Sequence, residues 1–241
     1  MKSFRTITMI CVITVVIISA GKGYAHRPLL TEDAGVGDLG EIIVEASYEQ
    51  TREKSAKEHA GIGVVNFGLG RAEIGIEIPY VKTEANQKGF SDLLFKAKFL
   101  IAGKDEKSGL FTIKGEALST TGDEKKGLGN ENWEYAGSAV ISKAFGDFTF
   151  HMQGGYNYVK GGIKDENSYF GGFAIDYGIT EKFNFSAEIF GSKSKLDKPL
   201  SAGGGFFYEF NKHAVVDILV HKGITVDARD WLFTTGITLK F

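Results

Sequence analysis

Phe148-Thr149-Phe150-His151-Met152-Gln153-Gly154-Gly155-Tyr156-Asn157-Tyr158 is the stretch that decides the fold. Phe148, Phe150, Met152, Gly154, Tyr156 and Tyr158 share one parity, while Thr149, His151, Gln153, Gly155 and Asn157 share the other. A period of two is the signature of a strand with one apolar and one polar face. Strands in soluble sheets usually run about five or six residues. A longer one, tilted by about 40°, has the reach to cross a bilayer.

The pattern recurs almost to the last residue. Trp231, Phe233, Thr235, Ile237, Leu239 and Phe241 oppose Leu232, Thr234, Gly236, Thr238 and Lys240. Ala72, Ile74, Ile76, Ile78 and Tyr80 oppose Arg71, Glu73, Gly75, Glu77 and Pro79, and Phe183, Phe185, Ala187 and Ile189 oppose Asn184, Ser186 and Glu188. No segment after Gly40 sustains the i, i+3, i+4, i+7 spacing of an amphipathic helix.

Twelve strands are predicted: 40–51, 58–69, 71–83, 89–102, 108–118, 132–144, 146–160, 167–177, 180–191, 200–210, 212–221 and 230–241. Parity is poorest in His59 to Leu69, where Val64 and Val65 fall on opposite faces. The linkers alternate between long and short, with Thr51 to Glu58 among the long ones and Gly103 to Lys107 the longest of the short class. Long loops on one side and short turns on the other mark a bacterial outer-membrane barrel.

Composition agrees. The 241 residues hold 43% apolar side chains at a mean hydropathy of -0.08, with 32 Gly, 12% aromatics and three Pro. That mixture suits strands and tight turns, and it excludes both a helical membrane bundle and a disordered chain. With 28 basic against 30 acidic side chains there is no basic stripe for nucleic acid.

Residues 1–25 read as a secretory signal peptide. Lys2 and Arg5 precede the apolar run Ile7 to Ala20, and Gly23-Tyr24-Ala25 offers small residues at the cleavage positions. The alternative, a membrane anchor, needs a run of about 20 residues. Cleavage removes Cys11, the one cysteine, and leaves 25 basic against 30 acidic side chains, a net of -5. Residues 26–39 are then expected as an N-terminal periplasmic segment and residues 40–241 as the transmembrane barrel.

Aromatic residues sort by height along the apolar face. Tyr48, Tyr80, Trp133, Tyr135, Tyr158, Tyr169 and Trp231 fall toward the long loops, and Phe99, Phe148, Tyr177, Phe183, Tyr208, Phe210 and Phe241 toward the short turns. Two girdles match the two interfaces of a membrane. A secreted β-sandwich with the same face turned inward has no reason to sort its rings so.

Three stretches resemble a known family: His26-Arg27-Pro28-Leu29-Leu30-Thr31-Glu32-Asp33-Ala34, Ile76-Glu77-Ile78-Pro79-Tyr80, and Gly89-Phe90-Ser91-Asp92-Leu93-Leu94-Phe95-Lys96-Ala97-Lys98-Phe99. They are similar to the outer-membrane family labelled "meta-pathway of phenol degradation", over most of the mature chain. The resemblance implies a barrel in the outer membrane of a Gram-negative cell that admits small hydrophobic or aromatic compounds. It transfers no catalytic or binding residue. Phe241 is similar to the C-terminal aromatic signal that the barrel assembly machinery reads.

Chemistry-bearing motifs are sparse. The five His make no metal-ligand spacing, and the Gly-rich stretches lack a phosphate-binding pattern, so neither metal nor cofactor is expected. His151 lies deep in a strand facing the lumen, with no nucleophile beside it in Phe150 or Met152, so no Ser-His-acid constellation is apparent and no enzyme is expected.

The inward parity carries charge instead: twelve acids, Glu41, Glu45 and Glu49 among them, and five bases, Arg71 and Lys240 among them. Glu73, Glu77, Lys96, Lys98, Lys114 and Glu116 are the candidate lumen and selectivity residues. Closing the loop near Asn86 symmetrically sets Glu77 opposite Lys96, and the turn around Asp105 sets Lys114 beside Lys96. So many charges admit water or a network of ion pairs that fills a narrow barrel, and the sequence fits both.

The reading is therefore an all-β, antiparallel transmembrane barrel with long extracellular loops and short periplasmic turns. It passes or binds small solutes by passive diffusion through a polar lumen, with outer-membrane lipids around it and no nucleic acid as partner. A structural or adhesive surface barrel, or a lipid-hydrolysing one, is the alternative.

Overall fold

The computed structural model describes residues 29–54, 56–160 and 167–241. The predicted signal peptide lies outside them, as do residues 26–28. The strands are β1 Ile42–Glu53, β2 Ala56–Gly68, β3 Ala72–Lys82, β4 Lys88–Phe90, β5 Leu94–Ala102, β6 Leu110–Leu118, β7 Glu134–Phe145, β8 Phe148–Val159, β9 Ser168–Gly178, β10 Phe183–Lys193, β11 Leu200–Asn211, β12 Ala214–Gly223 and β13 Trp231–Lys240. Each pairs antiparallel with its neighbours, and β1 pairs with β13 to close the ring. Because β4 and β5 form one stave interrupted at Ser91-Asp92-Leu93, the closed barrel has twelve staves, as the alternation predicts.

Solvent exposure is inverted relative to a soluble protein. Outward-facing Met152 and Val220 are 54% and 50% exposed, whereas inward-facing Lys114 and His151 are 1% exposed. Apolar side chains outside and polar ones inside require lipid as the outer solvent, and ring closure leaves no strand edge unpaired within it. The sandwich alternative, which buries the apolar face, is excluded. At the seam Phe241, 70% exposed, exchanges both backbone hydrogen bonds with Ile42, at 2.9 and 3.1 Å.

Four details differ from expectation. The first long linker is a two-residue link, because β1 and β2 continue pairing as far as Glu53↔Ala56 and Lys54 takes a left-handed φ of 55°. Arg71 has inward parity but stands exposed at the short-turn rim, where its guanidinium donates to the carbonyls of Leu100 and Ile101.

Register shifts by two residues around β5: Glu77 faces Leu94, Lys98 faces Glu73 and Lys114, and Lys96 faces Glu116. The causes are local. The turn closes on Ala85, with Thr83 N–H donating to Gln87 O and Asn86 at a φ of 58°, and the interruption at residues 91–93 absorbs one extra residue.

The last difference decides the lumen. Of the stretch 26–39, expected as a periplasmic lead-in, the described residues from Gly37 back to Leu29 lie inside the barrel, and Leu29, Thr31, Glu32, Asp33, Ala34 and Val36 are all buried.

Candidate functional site

The segment 29–37 has no secondary structure of its own, so its backbone donors need side-chain partners. Asp33 Oδ1 accepts Gly35 N–H within the segment at 2.6 Å, and inward side chains of the wall serve five more. Glu188 on β10 accepts Leu30 N–H and Thr31 N–H, both at 2.7 Å. Gln153 on β8 accepts Glu32 N–H at 2.9 Å, and Ser142 on β7 accepts Ala34 N–H at 2.8 Å. Glu73 on β3 accepts Gly37 N–H at 2.8 Å, while Thr112 on β6 donates to Ala34 O. Two glycines make the close approach possible. A β-carbon on Gly68 would collide with Asp38 O, and one on Gly172 with Thr31 Oγ1.

Charge holds the same segment from the other side. Lys114 Nζ lies 2.6 Å from Glu32 Oε2 and 2.9 Å from Glu116 Oε1. Lys98 Nζ lies 3.4 Å from Glu32 Oε1 and 3.5 Å from Asp33 Oδ1, and it donates to Asp33 O at 3.1 Å. Lys96 pairs with Glu77 at 3.5 Å on the same wall. All six lumen residues picked out by parity thus come together on β3, β5 and β6. Glu73, Lys98 and Lys114 bond to the segment, Glu116 steadies Lys114, and Lys96 and Glu77 pair with each other. Apolar contacts complete the seat: Leu29 packs with Ala174 and Leu219, and Ala34 with Leu110 and Val140.

A Ser-His-Asp chain also appears that sequence neighbours did not reveal. Ser142 Oγ lies 2.7 Å from His151 Nδ1, His151 Nε2 lies 3.1 Å from Asp176 Oδ2, and Ser186 donates to Asp176 Oδ1 at 2.5 Å. The expectation that His151 has no nucleophile beside it therefore fails across the strands. Ser142 faces His151 in the β7–β8 register, which the two-residue turn at Gly146 and Asp147 fixes. Ser142 is fully buried under Ala34. A second histidine backs the other anchor, His221 Nε2 lying 2.8 Å from Glu188 Oε1, out of hydrogen-bond alignment.

Toward the long loops the lumen changes character. A cavity partly open to solvent is lined by Pro79, Val81, Leu94, Leu118 and Leu128, with Glu58, Glu77 and Asp92 among its polar groups. Ala60, Ile62 and Val64 pack against Val81 behind it. Its roof is the loop 119–133, in which Leu128 is 3% exposed. The broken stave anchors that roof: Asp92 accepts Gly122 N–H at 2.7 Å and Asn130 N–H at 2.6 Å. Leu93 N–H, freed by the break, is taken by Ser119 Oγ and Thr121 Oγ1, both at 3.0 Å.

Comparison with known proteins places this architecture. The model of the family described as "Putative MetA-pathway of phenol degradation" matches residues 25–241. The chain belongs to this family. Among solved structures it is similar to the COG4313 outer membrane channel from Pseudomonas putida F1, at 12% identity and a TM-score of 0.70, over 87% of this chain and 98% of that one. The KdgM porin in complex with disordered oligogalacturonate has a TM-score of 0.61 at 11% identity, over 83% and 99% of the two chains. The NanC porin has the same TM-score and identity, over 83% and 100%. No curated protein matches the sequence. At such identities the likeness is one of fold, and the fold of this family member is that of outer-membrane channels and porins.

Proposed function

We propose that this barrel resides in the outer membrane and passes small, largely apolar solutes, aromatic compounds among them, by diffusion through a lumen whose lower half is occupied by residues 29–37. The cavity beneath loop 119–133 carries this reading. Five apolar side chains gathered there offer a small aromatic molecule an apolar seat, with Glu58 nearby for a hydroxyl or amine. A hydrated ion gains nothing there, and below the cavity it meets a segment that satisfies its own donors from the wall. The charges first read as ion selectivity residues act, in this proposal, chiefly to seat that segment. Phe241 keeps its assignment as the signal for assembly.

Vesicles containing the refolded chain test the proposal. Entry of an apolar aromatic dye such as a naphthylamine should be accelerated over protein-free vesicles, while swelling in arabinose should not. Fast sugar entry without dye entry overturns it.

Ser142, His151 and Asp176 favour a second reading, a lipid hydrolase whose nucleophile is uncovered when Ala34 leaves. A fluorophosphonate that labels Ser142 in the folded protein would support it. Absence of labelling, even with residues 29–37 deleted, rejects it.

A further inference from the structure

The outer face of the barrel is chemically lopsided at its long-loop rim. On β12, β13 and β1 to β4 the outward positions there are Lys222, Arg52, Lys57, His59, Lys82 and Lys88. Register sets them shoulder to shoulder. Arg52 faces Lys57, and Lys82 faces His59 on one side and Lys88 on the other. Trp231 stands between Lys222 and Arg52.

Directly opposed cross-strand residues have Cβ atoms about 4.5–5.5 Å apart, and like charges so placed repel. The carboxylates that could relieve them point elsewhere. Glu53 and Glu58 have inward parity, and Glu84 in the turn forms no ion pair with Lys82 or Lys88. Arg52, Lys57, Lys82, Lys88 and Lys222 are all exposed, and none forms an ion pair with a carboxylate among the described residues.

Height narrows the partner. Lys82 stands two residues beyond Tyr80, and Lys88 two residues before Phe90, with the two rings edge-on at 5.3 Å. Two residues of strand rise about 7 Å, so the ammonium groups sit just outside the aromatic girdle, at the level of lipid headgroups. The opposite face shows that this is no general property of the rim: β7 to β10 carry Tyr135, Tyr156, Tyr158 and Tyr169 there, with Lys160 and Lys193 as the outward bases among the described residues.

We infer that the β12–β4 face binds a phosphorylated glycolipid of the outer leaflet, its phosphates bridging Arg52 with Lys57 and Lys82 with Lys88. A phosphate accepts from both members of a repelling pair at once, which converts the strain of opposed cations into charge-assisted hydrogen bonds. Lipid lying against Trp231, Tyr80 and Phe90 supplies the apolar half of the contact. The inference rests on the outer-membrane location proposed above.

The test uses the full folded chain in maltoside micelles, offered bisphosphorylated lipid A, the same lipid after dephosphorylation, or inorganic phosphate, with bound lipid counted by native mass spectrometry. The phosphorylated lipid should be retained and the other two should not. R52Q/K57Q/K82Q/K88Q should weaken retention about tenfold or more, while K160Q/K193Q should leave it unchanged. Both variants are first shown to be folded by their altered migration on unboiled gels. Equal retention of the dephosphorylated lipid, equal competition by inorganic phosphate, or an unaffected quadruple variant overturns the inference. Cell fractionation that leaves the chain outside the outer membrane overturns the location reading instead, whatever the micelle result.

Discussion

The two halves of the lumen are built from the same staves and the same inward parity, yet they are lined by different chemistry. Toward the short turns, Glu73, Lys98, Lys114, Ser142, Gln153 and Glu188 all end on atoms of residues 29–37. Toward the long loops, Val81, Leu94, Leu118 and Leu128 surround a cavity. Charge gathers where a length of backbone without secondary structure must be satisfied, and apolar surface enters where it need not be, with Glu58, Glu77 and Asp92 beside it. Inward charge in a barrel is therefore poor evidence for water, because a chain segment consumes it as well as solvent does.

The comparison breaks most readily at Glu32, which is completely buried with a lysine at each oxygen. Glu32→Gln leaves two ammonium groups short of charge, a loss of about 3–5 kcal/mol when a buried pair is broken. The docking of residues 29–37 should weaken by about that much. A cysteine at Val36, 7% exposed in the docked segment, reports it once the leader with Cys11 is gone. Thiol labelling of V36C should be slow alone and fast with E32Q, and the single-channel conductance of E32Q should rise. Equal labelling rates would show that the segment is held by something other than charge.

An intermediate effect is expected in the upper half. Leu118→Asp puts a carboxylate into the apolar lining and should weaken binding of an aromatic dye about tenfold, or about 1.4 kcal/mol, because the charge must be desolvated or the dye excluded. The same change should leave V36C labelling as slow as before. If it accelerates labelling, the two halves are one cooperative unit and the division drawn above is wrong.

Much of this could be read from the chain. Twelve staves, the parity of β8 and β13, both girdles and the inward placing of the six candidate charges on β3, β5 and β6 follow from a period of two. Tight turns also made some register countable. From the two residues Gly146 and Asp147 one can step outward to place Ser142 opposite His151, a constellation that looking only along the chain misses.

The turns at 83–87 and 103–109 offer no such anchor, since each can close in more than one register. The turn with left-handed Asn86 and the extra residue absorbed at 91–93 together set which charges meet on β3 and β5. The position of residues 29–37 leaves no periodic trace, because its bonds reach wall residues as far as 158 positions away. Thr31-Glu32-Asp33 is complementary to Lys98 and Lys114, but parity cannot say whether such acids face water or a lysine.

A smaller effect on docking than at Glu32, and the sharpest discrimination, is expected at Ser142. Its hydroxyl accepts Ala34 N–H, so its own proton is directed to His151 Nδ1, and the other ring nitrogen donates to Asp176. As an anchor it contributes one neutral hydrogen bond. Ser142→Ala leaves Ala34 N–H buried without an acceptor, at a cost of about 1–3 kcal/mol, below that of Glu32→Gln because no charge is stranded. V36C labelling should therefore quicken less in S142A than in E32Q. S142T, which keeps an oxygen on the same carbon, should recover most of the docking. A nucleophile would show a further loss, since S142A would abolish any esterase activity outright. Faster labelling with no change in lipid turnover assigns Ser142 to the segment alone, and loss of turnover assigns it to catalysis.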